Sequence, residues 1–301
     1  MNESETPIVR DLSYWEQKKS ALRENGYVVF ESILSQALCQ QSIDAICDFM
    51  EVKQFDSSTW YKENPLNGTG SVPMHHHPAF WQVRQDPDVY RAFCEMLEEK
   101  ELWVTMDRAS FKPPCRYDLE QYGDDQNPLH WDYDFRKVDG EVYQGLVYLT
   151  DTESEQGAFA CVPSLYREIV EDRFENSQGF SQFQINGLFL HDVYDCQESE
   201  IVKVAAPAGS LIIFDSRLPH GNVATHHNKP RFVQFISMFK ANSRYGVPDV
   251  LFQQQADRVE CYLKSLPPSW LTGWNGQLAQ EPFAPQPLTE LGRRLVGLES
   301  W

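Results

Sequence analysis

The chain has 301 residues, of which 44 are acidic and 26 are basic, so its formal net charge is −18 at pH 7. Such a charge repels phosphate backbones and anionic lipid, which argues against nucleic acid and membrane surfaces as partners. The start, MNESETPIVRD, lacks the basic and apolar segments of a signal peptide, and we therefore expect a cytoplasmic protein.

The N-terminal part of the chain predicts one short strand and two amphipathic helices. The stretch ENGYVVFES is β-prone, and the apolar residues after it follow helical spacing. These residues are Leu38, Ile43, Ile46, Phe49 and Met50. A second helix is predicted in DPDVYRAFCEMLEEKELW, where Asp86 can cap a helix that begins at Pro87.

From about residue 102 the apolar pattern becomes that of short strands separated by turn residues. The runs are LWVTMDRASF, YQGLVYLTD, GAFACVPS, KVAAPAGSLIIFD and RFVQFISMF. They predict a mainly β fold with flanking helices, and the ending PLTELGRRLVGLESW predicts a short helix. Without repeats or linkers, one domain is expected over residues 1–301, with a helical N-terminal part to about 100, a β core over about 101–242 and a helical extension over about 243–301.

The stretch LHWDYD places His130 two residues before Asp132. Side chains two apart on a strand share a face, so both can reach one metal ion. By itself the spacing is weak evidence, because a histidine at the end of a turn can simply be bonded to its own loop. A third ligand is predicted at His220, just past a strongly apolar strand, and two imidazoles with one carboxylate form the facial triad of mononuclear non-haem iron oxygenases.

Arg231 begins the strand that returns after His220. Alternation places it on one face with Val233, Phe235 and Phe239, so its guanidinium is predicted to point into an apolar interior. A buried guanidinium requires an anion, and its planar fork suits the far carboxylate of a metal-chelating 2-oxo diacid. A salt bridge to an acidic side chain is the alternative.

Together, ENGYVVFESILS, HWD and PAGSLIIFDSRLPHGN, with Arg231 eleven residues after His220, resemble the phytanoyl-CoA dioxygenase family of Fe(II)- and 2-oxoglutarate-dependent oxygenases over about residues 22–240. The resemblance implies a double-stranded β-helix, that is, a cupin-like jelly roll. It implies Fe(II) as cofactor, 2-oxoglutarate and O2 as cosubstrates, and oxidation of an unactivated C–H bond with release of succinate and CO2.

Residue by residue, the resemblance makes His130, Asp132 and His220 the iron ligands. It assigns Arg231 to the distal carboxylate of 2-oxoglutarate, with Asn222 and Ser110 as further cosubstrate contacts. Because Asp132 retains the acidic ligand that halogenating relatives lack, hydroxylation or a related oxidation is favoured. A PGSH-like turn common in the family is replaced here by VPSLYRE.

The sequence says less about the residues that bind the substrate than about the metal ligands. Arg108 matches a position that faces the substrate, and Asp134 and Arg136 flank the triad. Since Lys112 and Arg116 add two more cations, we hypothesise a small anionic substrate; the alternative is that these cations only balance neighbouring acids.

Three histidines in MHHHP, His75 to His77, predict either a loop over the cavity or, less readily, a second metal site, and His226 and His227 are expected to be exposed. Two other classes stay open: a cupin-type metalloenzyme that does not use 2-oxoglutarate, and a non-catalytic binding protein on the same scaffold. The sequence leaves the oligomeric state undetermined.

Overall fold

A computed structural model describes residues 10–62, 70–123, 128–137, 140–174, 188–241, 255–268 and 280–301. Its α-helices are α1 (Leu12–Asn25), α2 (Gln36–Met50), α3 (Pro78–Arg84), α4 (Pro87–Leu97), α5 (Pro163–Val170), α6 (Gln255–Lys264) and α7 (Glu290–Val296). Its strands are β1 (Tyr27–Phe30), β2 (Ser71–Val72), β3 (Leu102–Val104), β4 (Ala109–Lys112), β5 (His130–Trp131), β6 (Tyr143–Tyr148), β7 (Phe159–Cys161), β8 (Leu188–Phe189), β9 (Val202–Val204), β10 (Leu211–Asp215), β11 (His220–Asn222), β12 (Arg231–Phe235) and β13 (Met238–Lys240).

The strands form two larger antiparallel sheets and a small third one. The major sheet has the order β1-β10-β6-β12-β4-β2, the minor sheet β8-β5-β11-β7-β9, and β13 pairs with β3 alone. One buried cluster joins Leu146, Phe214 and Val233 of the major sheet to Phe159 and Val204 of the minor sheet, so the two sheets pack face to face. The predicted jelly roll is confirmed.

The outer face of the major sheet is covered by helices. There the largest buried cluster combines residues of α1, α2 and α4 with Val147, Ile213 and Phe232 of the strands. Gly145 illustrates how closely the two layers approach, since a Cβ at this position would lie 3.0 Å from Phe93 of α4. The helices thus support the sheet from outside and leave its inner face to the site.

Three of the predicted β runs each divide into two strands that enter different sheets. In RFVQFISMF, for example, β12 ends at Phe235 and β13 begins at Met238. Thr105 and Ser237 stabilise the break, because each backbone N–H of the pair is bonded across to the other residue. Phe239 therefore packs edge-on against Trp103, and the prediction that it shares a face with Arg231 is wrong.

The predicted helices at 36–50, 87–97 and 290–296 are present, and Asp86 caps α4 as expected, accepting from the N–H groups of Asp88 and Val89 at 2.9 and 3.1 Å. Helices α1, α3 and α5 were not predicted. Of the residues of α1, only Trp15 and Leu22 are buried, so its apolar stripe is too sparse to read. The stretch VPSLYRE, taken as an altered turn, forms the start of α5.

The major sheet draws β1 and β2 from the segment predicted as a helical N-terminal part. At the other end of the chain, Arg258 of α6 is fully buried and donates to the carbonyl groups of Val104 and Leu295, which ties α6 to β3 and α7. None of the described helices has the length and apolar character needed to cross a bilayer. The division into three segments of one domain stays a prediction.

Candidate active site

The three predicted ligands meet on the minor sheet. His220 of β11 lies directly opposite His130 of β5 in the antiparallel register, and Asp132 follows β5. Nε2 of His130 lies 3.4 Å from Oδ1 of Asp132, and Nε2 of His220 lies 3.3 Å from Oδ2. One potential ligand atom of each residue is within 4.8 Å of the other two. The three side chains therefore converge on one point.

Each histidine is oriented by its own main chain. Nδ1 of His130 lies 2.8 Å from the carbonyl oxygen of Pro128, and Nδ1 of His220 lies 3.0 Å from that of Leu218. A carbonyl oxygen can only accept, so Nδ1 of both rings carries the hydrogen. The lone pair of the neutral ring is then on Nε2, the atom that faces Asp132, and this is the tautomer that a metal ligand requires.

The electrostatics of the triad also fit a cation. Partial burial would raise the pKa of Asp132, but hydrogen bonds with His130 and His220 outweigh burial and hold that pKa well below its usual range. For His130, burial would lower the pKa, but the hydrogen bond with Asp132 raises it above the ordinary value. The carboxylate is thus ionised at neutral pH and faces Nε2 of both imidazoles, so a bound divalent metal would take the place of any proton held between these atoms.

Two aromatic rings pack against the imidazole of His220. The ring centroid of Phe214 lies 4.5 Å from that of His220, and Phe159 stacks on it at 5.9 Å. His220 is only 7% exposed, whereas the side chain of Asp132 is 39% exposed. Of these two ligands, His220 is therefore shielded and Asp132 is the more accessible.

Arg231 lies in a separate polar cradle of the same interior. Its side chain is 1% exposed and donates to the carbonyl oxygen of Gly157, to Oδ1 of Asn222 and, at 3.1 Å, to Oγ of Ser110. Among the ion pairs of the described residues none involves Arg231, and burial lowers its pKa to about 10. A buried cation whose partners are all neutral is a site for an anion.

The cradle depends on close backbone approach. Gly157 has φ +66°, and a Cβ at this position would lie 2.7 Å from Oγ1 of Thr225. Only glycine adopts this conformation readily while keeping its carbonyl oxygen on Arg231. Lys112 lies opposite Arg231 in the register and donates to the carbonyl oxygen of Val223 at 3.2 Å, so a second cation borders the cradle.

The predicted substrate-side residues are arranged as local ion pairs. Arg136 donates to both carboxylate oxygens of Asp134 at 2.8 Å, and Arg108 donates to Asp107 at 3.0 Å and to Ser71 at 3.3 Å. The guanidinium of Arg108 also lies over the ring of Phe235, 5.1 Å from its centroid. These pairs match the alternative in which cations balance neighbouring acids, and a role of Arg108, Asp134 and Arg136 in substrate binding stays a prediction.

The MHHHP motif contributes to structure. Nδ1 of His75 lies 3.1 Å from the carbonyl oxygen of Met106, Nε2 of His76 lies 2.7 Å from that of Leu266, and Glu281 accepts both backbone N–H groups. Burial lowers the pKa of His75 to about 3 and that of His76 to about 4. These histidines are neutral and fasten the C-terminal extension to the body, and among the described residues only the triad groups three side chains able to hold a metal.

One contact of Arg231 was not singled out from the sequence. Gly157 follows a glutamine in an ordinary turn, and nothing local indicates its contact with Arg231.

Comparisons with known proteins agree with this geometry. The family model described as phytanoyl-CoA dioxygenase (PhyH) matches residues 22–233. A Dictyostelium discoideum protein provisionally named as a phytanoyl-CoA dioxygenase is 22% identical over 316 aligned positions, which cover 91% of this chain and 84% of the relative.

Solved structures with the same fold include GlcNAc Inducible Gene 2 (DUF1479) of Candida albicans, with a TM-score of 0.69 at 15% identity over 95% of this chain and 77% of that one. They also include the epimerase SnoN in complex with Fe3+, alpha ketoglutarate and nogalamycin RO, with a TM-score of 0.55 at 14% identity over 92% and 97% of the two chains. At these identities the likeness shows a shared fold.

Proposed function

Because the chain belongs to the phytanoyl-CoA dioxygenase family, we propose that it is an Fe(II)- and 2-oxoglutarate-dependent dioxygenase that hydroxylates, or otherwise oxidises, an unactivated C–H bond of a small molecule. One observation carries the proposal: the chain places a two-histidine, one-carboxylate triad and a buried arginine with no acidic partner among the described residues in one interior. The triad alone would serve many metalloenzymes, whereas Arg231 adds a site for the carboxylate of a chelating oxo acid.

In this proposal His130, Asp132 and His220 hold Fe(II). Arg231, Ser110 and Asn222 hold the distal carboxylate of 2-oxoglutarate. When bound, iron with 2-oxoglutarate and O2 supplies the oxidant for the C–H bond, and the cosubstrate leaves as succinate and CO2.

The chain's own residues prepare this chemistry by positioning. The carbonyl oxygens of Pro128 and Leu218 keep both imidazoles in the tautomer that binds metal through Nε2. Because the triad supplies three ligand side chains, a bound metal would keep room for the cosubstrate. The rings of Phe159 and Phe214 shield the imidazole of His220 from water, and Asp132 is the more accessible ligand.

Hydroxylation is favoured over halogenation since Asp132 keeps the acidic ligand. SnoN, which shares the fold, is an alpha ketoglutarate dependent epimerase. The same fold therefore also supports reactions other than hydroxylation. The proposal includes a small-molecule substrate and a cytoplasmic location. The net charge of −18 argues against nucleic acid and anionic membrane surfaces as partners.

The test is an anaerobic titration of metal-free protein with Fe(II) and then 2-oxoglutarate, which follows the weak visible charge-transfer band of the chelate. The wild type should develop the band, Asp132→Ala should not, and Arg231→Ala should need at least about 100-fold more 2-oxoglutarate, since a charge-assisted pair contributes about 3 kcal/mol and each 1.4 kcal/mol is tenfold.

Arg258→Lys is the control, because Arg258 is equally buried and its contacts among the described residues include α7, β3 and β13 but none of the triad. It should titrate as the wild type does. If the wild type shows no band under any condition, the proposal is wrong, and a metalloenzyme without an oxo acid or a binding scaffold becomes the better explanation.

A further inference from the structure

Gln144 lies on the inner face of the major sheet. Along β6 it alternates with Leu146 and Tyr148, which belong to the cluster between the two sheets. Gly145, the next residue, faces the helices instead, as its approach to Phe93 shows. Because successive side chains of a strand point to opposite faces, Gln144 points toward the minor sheet that carries the triad.

The position of Gln144 along the sheet is next to the metal ligands and away from the cosubstrate cradle. It pairs with Phe214 in the register, and the ring of Phe214 lies 4.5 Å from that of His220. Arg231 lies two residues before Val233, which pairs with Tyr148. Tyr148 is four positions from Gln144, so roughly 13 Å of strand separates these two residues. Arg231 lies beyond the position of Tyr148 and is therefore farther from Gln144.

The carboxamide of Gln144 has an unused donor. Its Nε2 is buried and has no hydrogen-bond partner among the described residues. The neighbouring side chains on this face, Leu146 and Phe214, offer no acceptor. Buried amide donors in folded proteins nearly always have a partner, so a partner is expected from outside the described residues.

The guanidinium of Arg108, which lies over the ring of Phe235, is already bonded to a carboxylate. The carbonyl oxygen of Arg108 accepts from the backbone N–H of Phe235 on the next strand. The guanidinium of Arg108 donates to the carboxylate of Asp107. An ion pair of this kind offsets the positive charge that would otherwise select an anion. A neutral acceptor oxygen therefore fits this side of the site as well as a carboxylate does.

We propose that Gln144 is a substrate-binding residue whose Nε2 donates a hydrogen bond to a carbonyl or carboxyl oxygen of the substrate, which holds the C–H bond to be oxidised beside the triad. This inference rests on the proposed oxygenase function and adds to it a substrate class, namely small molecules that carry such an oxygen close to the oxidised carbon. A hydrogen bond at this place fixes orientation, because the aromatic and aliphatic surface around it supplies only non-directional contact.

The experiment uses protein loaded with Fe(II) and 2-oxoglutarate and a defined panel of probes. The panel pairs carboxylic acids, primary amides and N-acetyl amino acids of three to ten carbons with alcohols and amines of the same skeletons that lack the carbonyl group. Succinate release in air is measured for the wild type, Gln144→Met and Gln144→Glu. Methionine keeps the shape of glutamine but removes the donor, and glutamate leaves only acceptors.

The matched control is Gln234→Met. Gln234 is fully buried in the adjacent strand, and its Nε2 donates to the carbonyl oxygen of Phe80 on the helical side. Thermal unfolding of each variant shows whether it is folded, and loss of an unpaired donor should leave Gln144→Met as stable as the wild type.

At least one carbonyl compound should raise succinate release in the wild type, and Gln144→Met should raise its half-saturating concentration about tenfold or more, equivalent to about 1.4 kcal/mol. Gln144→Glu should be weaker still, and Gln234→Met should match the wild type.

The inference is overturned if Gln144→Met leaves that concentration unchanged, since the donor then binds only water. It is also overturned if Gln144→Glu binds as well as the wild type, or if only compounds without a carbonyl group act. Absence of the charge-transfer band in the wild type would instead refute the oxygenase proposal itself, so the two failures are distinguishable.

Discussion

Replacing Arg231 by methionine tests whether the buried guanidinium serves a ligand or the fold. Burial lowers the pKa of Arg231 to about 10, from an ordinary value near 12.5. A base whose pKa is lower in the folded state destabilises that state wherever it is charged. At about 1.36 kcal/mol per pKa unit, the cost is roughly 3 kcal/mol at pH 7.

Arg231→Met removes that cost but also removes the hydrogen bonds to Gly157, Asn222 and Ser110. At about 1.5 kcal/mol each, the lower end of the range for hydrogen bonds to a charged group, these bonds offset the gain. The free energy of unfolding of the metal-free protein should therefore change by less than about 2 kcal/mol. Urea unfolding, followed by circular dichroism, measures it.

Arg217→Met provides the contrast. Arg217 donates to both oxygens of Asp215 at 2.9 and 2.6 Å, and Asp215 is 1% exposed. Removing one partner leaves a buried carboxylate unpaired, which should cost about 3–5 kcal/mol.

Ligand addition completes the prediction. With Mn(II) and 2-oxoglutarate at about 100 times its dissociation constant, the wild type should gain about 2.7 kcal/mol of stability, and Arg231→Met should gain far less. If metal-free Arg231→Met loses as much stability as Arg217→Met, the guanidinium has a structural counter-ion and the argument for an anion site fails.

Three further outcomes follow from the structure. Asp132→Asn should weaken Mn(II) binding at least about 100-fold in calorimetry while leaving the circular dichroism spectrum unchanged, since the carboxylate is the only anionic ligand of the triad; an unaltered affinity would exclude this metal site. Burial raises the pKa of Glu281 to about 7, above its unfolded value near 4.5, so the stability it contributes is complete below pH 4.5 and is lost as pH rises through 7. Over that pH range the wild type should lose roughly 3 kcal/mol of stability relative to Glu281→Gln. Urea midpoints that change in parallel for the two proteins would contradict this. Gly209 has φ +82°, and a Cβ at this position would lie 2.4 Å from the carbonyl oxygen of Leu34. Gly209→Ala should therefore lower the free energy of unfolding by at least about 2 kcal/mol. A urea midpoint equal to that of the wild type would contradict this.

Elements whose signals lie in nearby residues were predicted correctly, whereas elements that depend on contacts between distant residues were not. The helices at 36–50 and 87–97 carry their signals locally, in apolar spacing and in the cap of Asp86, and both were found from the sequence. Helix α1 has few apolar residues and is stabilised by packing on β1 and α5, so its pattern was too weak to read. The breaks in two of the long β runs involve the Thr105 and Ser237 pairing, which joins positions 132 residues apart.

The candidate site shows the same division. His130, Asp132, His220 and Arg231 were identified because their chemistry is unusual and their spacing matches a known family. The orienting carbonyl groups of Pro128 and Leu218 were not, since every residue has a carbonyl group and no side chain marks which one is used. The histidines of MHHHP attracted attention for their number, yet they serve to fasten the C-terminal extension.

By itself, the sequence determined the fold class, the family and the four residues on which the proposed chemistry depends, because those properties reside in local patterns and in residue types that few other functions require. Only the tertiary structure decided which cations have an acidic partner among the described residues and which do not. Arg136 and Arg108 find carboxylates close along the chain, whereas Arg231 is bonded to neutral groups from three separate segments. Pairing of charges is a property of distance in space, and this distance is set when the two sheets close on each other.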